Sequence, residues 1–255
     1  MSENQQMNQS EELQEGEVSE ERENIEDVIL EDEEKLTLGQ KLIYFFSEPS
    51  KTMKDLSIRP IIYPIFIISL LYVMMFVPKM GLIIEEQKVA MEEIYAQQGI
   101  TEIPDFVMTT MYIGGFIGAF IAPIATWFFT SVIVYIIALI TKAKGRFKGI
   151  LAITAFSSII ILLGEGIRTI ITLITGSTIV HTSLISLIGI LNLEIESTSI
   201  VYLLLSKIEV FSLLYLFYVA IGLTYVFKIS MKKASLISLG YLVVTTIFSL
   251  ALRLI

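Results

Sequence analysis

The chain has 255 residues, of which 54% are hydrophobic and only 17% charged, against roughly 25% charged in soluble domains. The absence of cysteine excludes disulfides, thiolate metal sites and a cysteine nucleophile, and the single histidine, His181, is the whole supply of imidazole. The formal charge of −8 belongs to one end: residues 1–35 hold 14 acidic and 2 basic residues, the other 220 hold 12 and 16.

That first segment is rich in Glu, Gln, Asn and Ser and nearly free of aromatic residues. It cannot bury enough apolar surface to offset its ordering entropy, so residues 1–35 are predicted to be a disordered acidic cytoplasmic tail. It has no basic stretch followed by an apolar core, so no cleavable signal peptide is expected. Residues 36–58 follow as an amphipathic juxtamembrane segment. There Leu38, Leu42, Phe45 and Phe46 recur at helical spacing beside lysines, as in a helix lying on the cytoplasmic leaflet, with a turn at Pro49.

From residue 59 the chain reads as a membrane domain. A helix needs about 20 apolar residues to cross a bilayer. Charge-free runs cover Pro60–Pro78, Phe106–Thr141, Gly149–Gly164, Val210–Phe227 and Ala234–Leu252. The second, at about 54 Å as one helix, is long for one upright span and short for two. Residues 169–193 are apolar enough to suggest a further span. Basic clusters decide, because cytoplasmic loops are rich in Lys and Arg. Lys51, Lys54 and Arg59 precede the first run. Lys142, Lys144, Arg146 and Lys148 follow the second, and Lys228, Lys232 and Lys233 follow the fourth. Placing all three clusters inside requires two crossings between each neighbouring pair. The expected fold is therefore all-α, a polytopic bundle of five transmembrane helices with the N-terminus inside and the C-terminus outside. Residues 79–105 become an external connection, 106–118 a tilted extension or interfacial turn. Residues 176–199 become an external re-entrant or interfacial segment, broken at Gly176.

Two sets of residues carry a family resemblance. Phe46-Ser-Glu-Pro49-Ser50-Lys51 leads into the first span, and Glu209-Val-Phe211, Gly222-Leu223 and Lys232-Lys233-Ala234 follow in order near the C-terminus. From about residue 40 to 252 the chain resembles the Yip family (Ypt-interacting proteins) in its bacterial form. Glu209 departs from the pattern, where an uncharged residue or aspartate is expected. The resemblance implies five spans and no catalytic residues. Eukaryotic members bind Rab-type GTPases and shape trafficking membranes, and some bacterial members act alongside ABC-type exporters.

The chemistry is sparse. A metalloprotease helix needs two histidines and a Ser–His–acid triad a nucleophile elbow, and both are missing. No cofactor or metal is expected. His181, among serines and threonines, reads as an interfacial hydrogen-bonded residue rather than a ligand. Gly114, Gly118 and Ala122 recur every four residues, a spacing that lets membrane helices approach closely. It serves bundle packing first and a contact with another protein second, and Gly114-Gly115 with Pro123 could instead break the helix at a substrate site. Gly222 is a further packing position. The basic residues Lys142, Lys144, Arg146, Lys148, Lys232 and Lys233 mark topology and can hold anionic headgroups, but no nucleic-acid field accompanies them.

Ionised groups in apolar surroundings are costly. Glu165 and Arg168, three residues apart on one helix face, can pair and reach the outer interface. Relays line up several ionisable groups across the membrane, so the pair is expected to brace the outer mouth of the bundle. The expected function is a non-enzymatic adaptor of the plasma membrane. Its partners are the bilayer, other membrane proteins such as ABC-type transporter subunits, or a second copy. The alternative is a small-solute permease or channel.

Overall fold

A computed structural model describes residues 35–97, 99, 103–180, 182–186 and 199–253. His181, the acidic tail and most of the expected re-entrant segment lie outside these residues. Among the described residues the regular structure is helical, with one isolated β-bridge between Ser183 and Glu209. The chain divides into two units, Met1–Ser47 and Glu48–Ile255.

In the first unit, helix α1 spans Leu38–Ser47. It opens with a reciprocal cap. The Gln40 side chain accepts from the Thr37 amide at 2.8 Å, and the Thr37 hydroxyl accepts from the Gln40 amide at 3.3 Å. Two of the otherwise unbonded first-turn donors are satisfied in this way.

The second unit begins with α2, Pro49–Ile58, whose first-turn proline needs no amide partner. Met53 and Leu56 are fully buried, and α2 packs against two helices of the bundle rather than lying free on a leaflet. Helix α3, Pro64–Phe76, passes through a 3-10 turn at Val77–Lys79 into α4, Met80–Gln97. Pro78 supplies no amide to the ladder, which accounts for the tightened turn. The external connection expected over residues 79–105 is thus mostly helix. Its Glu, Gln, Lys and Ala residues are strong helix formers, whatever their charge.

Helix α5, Asp105–Ile140, is one uninterrupted element of 36 residues with Pro123 inside it. Residues 106–118 therefore continue the span and make no separate turn, and neither Gly114-Gly115 nor Pro123 breaks it. Helix α6, Phe147–Thr175, runs through Gly164 and Gly166 and ends at Gly176, whose φ of 69° is the left-handed conformation that closes a helix. Helices α7, Ile200–Lys207, and α8, Val210–Val226, are separate. Glu209, with extended backbone, separates the two. Helix α9 is Met231–Arg253. Among the described residues, four helical stretches are long and apolar enough to cross a membrane: Pro64–Gln97, Asp105–Ile140, Phe147–Thr175 and Met231–Leu252. The apolar α8 is shorter.

Glycines set the closest contact, between α6 and α8. A Cβ at Gly149 would lie 2.9 Å from Val226, one at Gly164 2.6 Å from Phe211, and one at Gly222 would overlap three atoms of Ile153. Partner numbers fall as α6 numbers rise, so the two helices are antiparallel. Ile65 of α3, Trp127 of α5 and Ala155 of α6 form a shared core cluster, pinned by a hydrogen bond from Trp127 Nε1 to the Leu151 carbonyl at 2.9 Å. Ser131 and Thr154 meet at 2.7 Å between α5 and α6, and Thr130 meets Tyr241 of α9 at 3.0 Å.

Candidate functional site

The polar centre of the second unit grows from α6. Arg168 lies one turn beyond Glu165, and its Nη2 is 3.0 Å from Glu165 Oε2. The pair expected from sequence is made, and it has company. Glu165 Oε1 accepts from Lys79 at the end of the 3-10 turn, and Arg168 Nη1 donates to Glu209 in the break before α8. Thr182 accepts from Arg168 at 3.2 Å and donates to Glu209 at 2.6 Å, while Ser212 donates to the other Glu209 oxygen at 2.8 Å. Two acids and two bases thus alternate in one chain, Lys79–Glu165–Arg168–Glu209, and their charges cancel.

The four side chains keep 12–25% of their surface exposed, so they are half-buried rather than sealed. Burial alone would raise the Glu209 carboxyl. The hydrogen bonds from Thr182 and Ser212 and the charge of Arg168 outweigh it and hold the group below its ordinary range. The reason is that each of these partners favours the ionised form. Four separate segments are tied together here, and removing Glu165 or Arg168 strands Lys79 or Glu209 without a counterpart.

Beneath the network lies a cavity of about 580 Å³ between α3, α5, α6, α8 and α9, lined also by Ser206 and Lys207 of α7. Ala122 lies on its wall beside Pro123. Gly114 and Gly118 do not pack inside the chain as expected. Both are exposed, with nothing within 4 Å of an added Cβ. Their neighbour Gly115 faces Phe76 at 3.3 Å instead. A four-residue spacing is visible in a sequence, but which face of the helix a neighbour will occupy is not.

The basic residues lie far from the network. A Cβ at Gly145 would be 2.5 Å from Phe227, so the loop carrying Lys142, Lys144 and Arg146 touches the loop after α8. Lys142, Lys144, Arg146, Lys148 and Lys232 are exposed, and Lys233 is half-buried. Glu165 is 18 residues along α6 from Phe147, about 27 Å away. One end of the bundle is cationic, and the other holds a balanced network over a cavity.

The family model of the Yip1 domain matches residues 43–252. The chain belongs to the Yip1 family. No curated protein and no solved structure matches it. The Yip1 match includes every helix from α2 to α8 and nearly all of α9, so the glycine contacts, network and cavity are all features of the Yip1 domain. With its long apolar helices, this Yip1 protein is a multi-pass membrane protein.

Proposed function

We propose that this Yip1 protein is a non-enzymatic adaptor of the plasma membrane. It holds another membrane protein, such as an ABC-type exporter subunit or a second copy of itself, against α5. The observation that carries this reading is the uncovered stripe of Gly114 and Gly118, bordered by exposed Tyr112, Ile113, Phe116 and Ile117. Small residues with larger flanks are what close helix contact in a membrane requires. A Cβ at Gly118 meets nothing within 4 Å, so Gly118→Ile should leave the melting temperature unchanged. It should also abolish cross-links formed in membranes from a cysteine placed at Ile117. Cross-linking that persists in a folded Gly118→Ile protein would remove the stripe from the function.

We infer five crossings with the N-terminus inside. The contact of the two lysine-bearing loops supports one side for both, and α8, at about 26 Å, needs little tilt or thinning to cross. A cysteine at exposed Lys144 should resist an impermeant external reagent, and one at exposed Gln97 should react. Ala143 cannot serve, because it is 3% exposed and would resist labelling on either side. Reaction at Lys144→Cys in sealed cells would overturn the topology. The cavity favours a second reading, a small-solute permease or channel, and robust solute uptake by reconstituted protein would promote it.

A further inference from the structure

We propose that the cavity beneath the ion network binds an anionic amphiphile, its hydrocarbon between the helices and its carboxylate or phosphate at Lys207. A volume of about 580 Å³ lies within the range of roughly 300–1,000 Å³ that suits small-molecule sites. Its two ends differ in chemistry. Glu165, Lys207 and Glu209 line it at the network end, and Ile65 and Trp127 line it farther along α3 and α5.

Several polar groups on the wall are committed elsewhere, and the Tyr72 and Thr126 hydroxyls are the exceptions. Ser158, Ser206 and Thr245 bond back to the carbonyls of Thr154, Leu203 and Tyr241, and Ser212 bonds to Glu209. A hydrophilic solute would find few free donors and would lose its hydration without replacement. Hydrocarbon loses nothing there.

Charge settles the other end of the ligand. Lys79, Glu165, Arg168 and Glu209 neutralise one another. Lys207 has no ion-pair or hydrogen-bond partner among the described residues, and it lines the cavity beside Glu165 and Glu209, whose charges Lys79 and Arg168 already answer. One unpartnered cation above an apolar chamber fits one anionic group on an apolar tail. Fatty acids and anionic phospholipids share this chemistry.

Trp127 is the single tryptophan and lines the cavity, which makes it a reporter of bromine nearby. Full-length protein in nanodiscs would be titrated with a brominated fatty acid, brominated phosphatidylglycerol and brominated phosphatidylcholine. Either anionic probe should quench at a lower mole fraction than phosphatidylcholine. Quenching by the fatty acid alone assigns a carboxylate ligand and by phosphatidylglycerol alone a lipid phosphate, both supporting the site. Lys207→Gln should raise the half-quenching fraction about fivefold, as expected for loss of one basic contact. Ala119→Phe, which fills part of the cavity from α5, should remove the saturable quench. Equal quenching by phosphatidylcholine, or quenching unchanged in Lys207→Gln, would overturn the proposal, and these two measurements decide even if Ala119→Phe does not fold. The proposal is independent of the α5 stripe: loss of cross-linking in Gly118→Ile leaves the quench untouched.

Discussion

Gly222→Leu is expected to prevent recovery of a folded protein, and Gly222→Ala to lower stability by about 1–3 kcal/mol, the usual cost of overpacking a filled core. The first added carbon already overlaps Ile153, which is itself fully buried. Dense interiors leave it nowhere to go. α8 cannot retreat without also losing the contacts of Gly164 with Phe211 and Gly149 with Val226. Ile153→Ala removes the three overlapped atoms, so it should rescue Gly222→Ala. The double variant would then cost less than the two singles added, a coupling that residues in contact show and distant ones do not. Thermal unfolding of the four proteins in detergent measures it. Strictly additive losses, or a Gly222→Ala protein that melts with the native one, would mean that the α6–α8 approach is looser than drawn here.

Arg168→Gln should be the most damaging single change in the ion network, because it breaks pairs to both acids and leaves a net negative charge. Removing one partner of a buried pair costs about 3–5 kcal/mol, and the partial exposure of these groups should reduce that to about 2–3 kcal/mol. The rescuing partner is Glu209. Arg168→Gln with Glu209→Gln leaves the Lys79–Glu165 pair intact and neutral. Arg168→Gln with Glu165→Gln is also neutral, but it separates Lys79 from any acid and Glu209 from any base. If local pairing governs stability, the first double variant melts well above the second. Equal melting temperatures would show that only net charge matters. Stable single variants that lose a robust proton or solute flux in liposomes would sink the brace altogether.

The parts of the fold legible in the sequence were those fixed by local composition. Charge-free runs located the apolar helices, and Gly176 marked the end of α6 because a residue without a Cβ closes a helix cheaply. Charge misled in one place. The acid-rich stretch after Lys79 reads as a loop by topology, while Glu-Glu-Gln-Lys and its neighbours favour helix by intrinsic preference, and helix is what forms. The network was half legible. Glu165 and Arg168 are three apart and announce each other, whereas Lys79 and Glu209 lie 86 and 41 residues from their partners. Lys79 closes a charge-free run and so read as a boundary, and Glu209 registered only as a departure from the family pattern. Its acid has a reason after all, because it answers Arg168.

The loops at the cationic end turn on Lys142 and Lys228, with φ of 58° and 50°. A residue with a Cβ held there costs roughly 1–2 kcal/mol, which glycine would not incur. Both turns accept that cost and place a lysine where a glycine would fold better. Both side chains are exposed. Under the proposed topology a benefit falls earlier, during synthesis, when a positive loop biases which way the flanking helices enter the bilayer. On that reading the finished bundle keeps, in two left-handed lysines, a trace of how it was made.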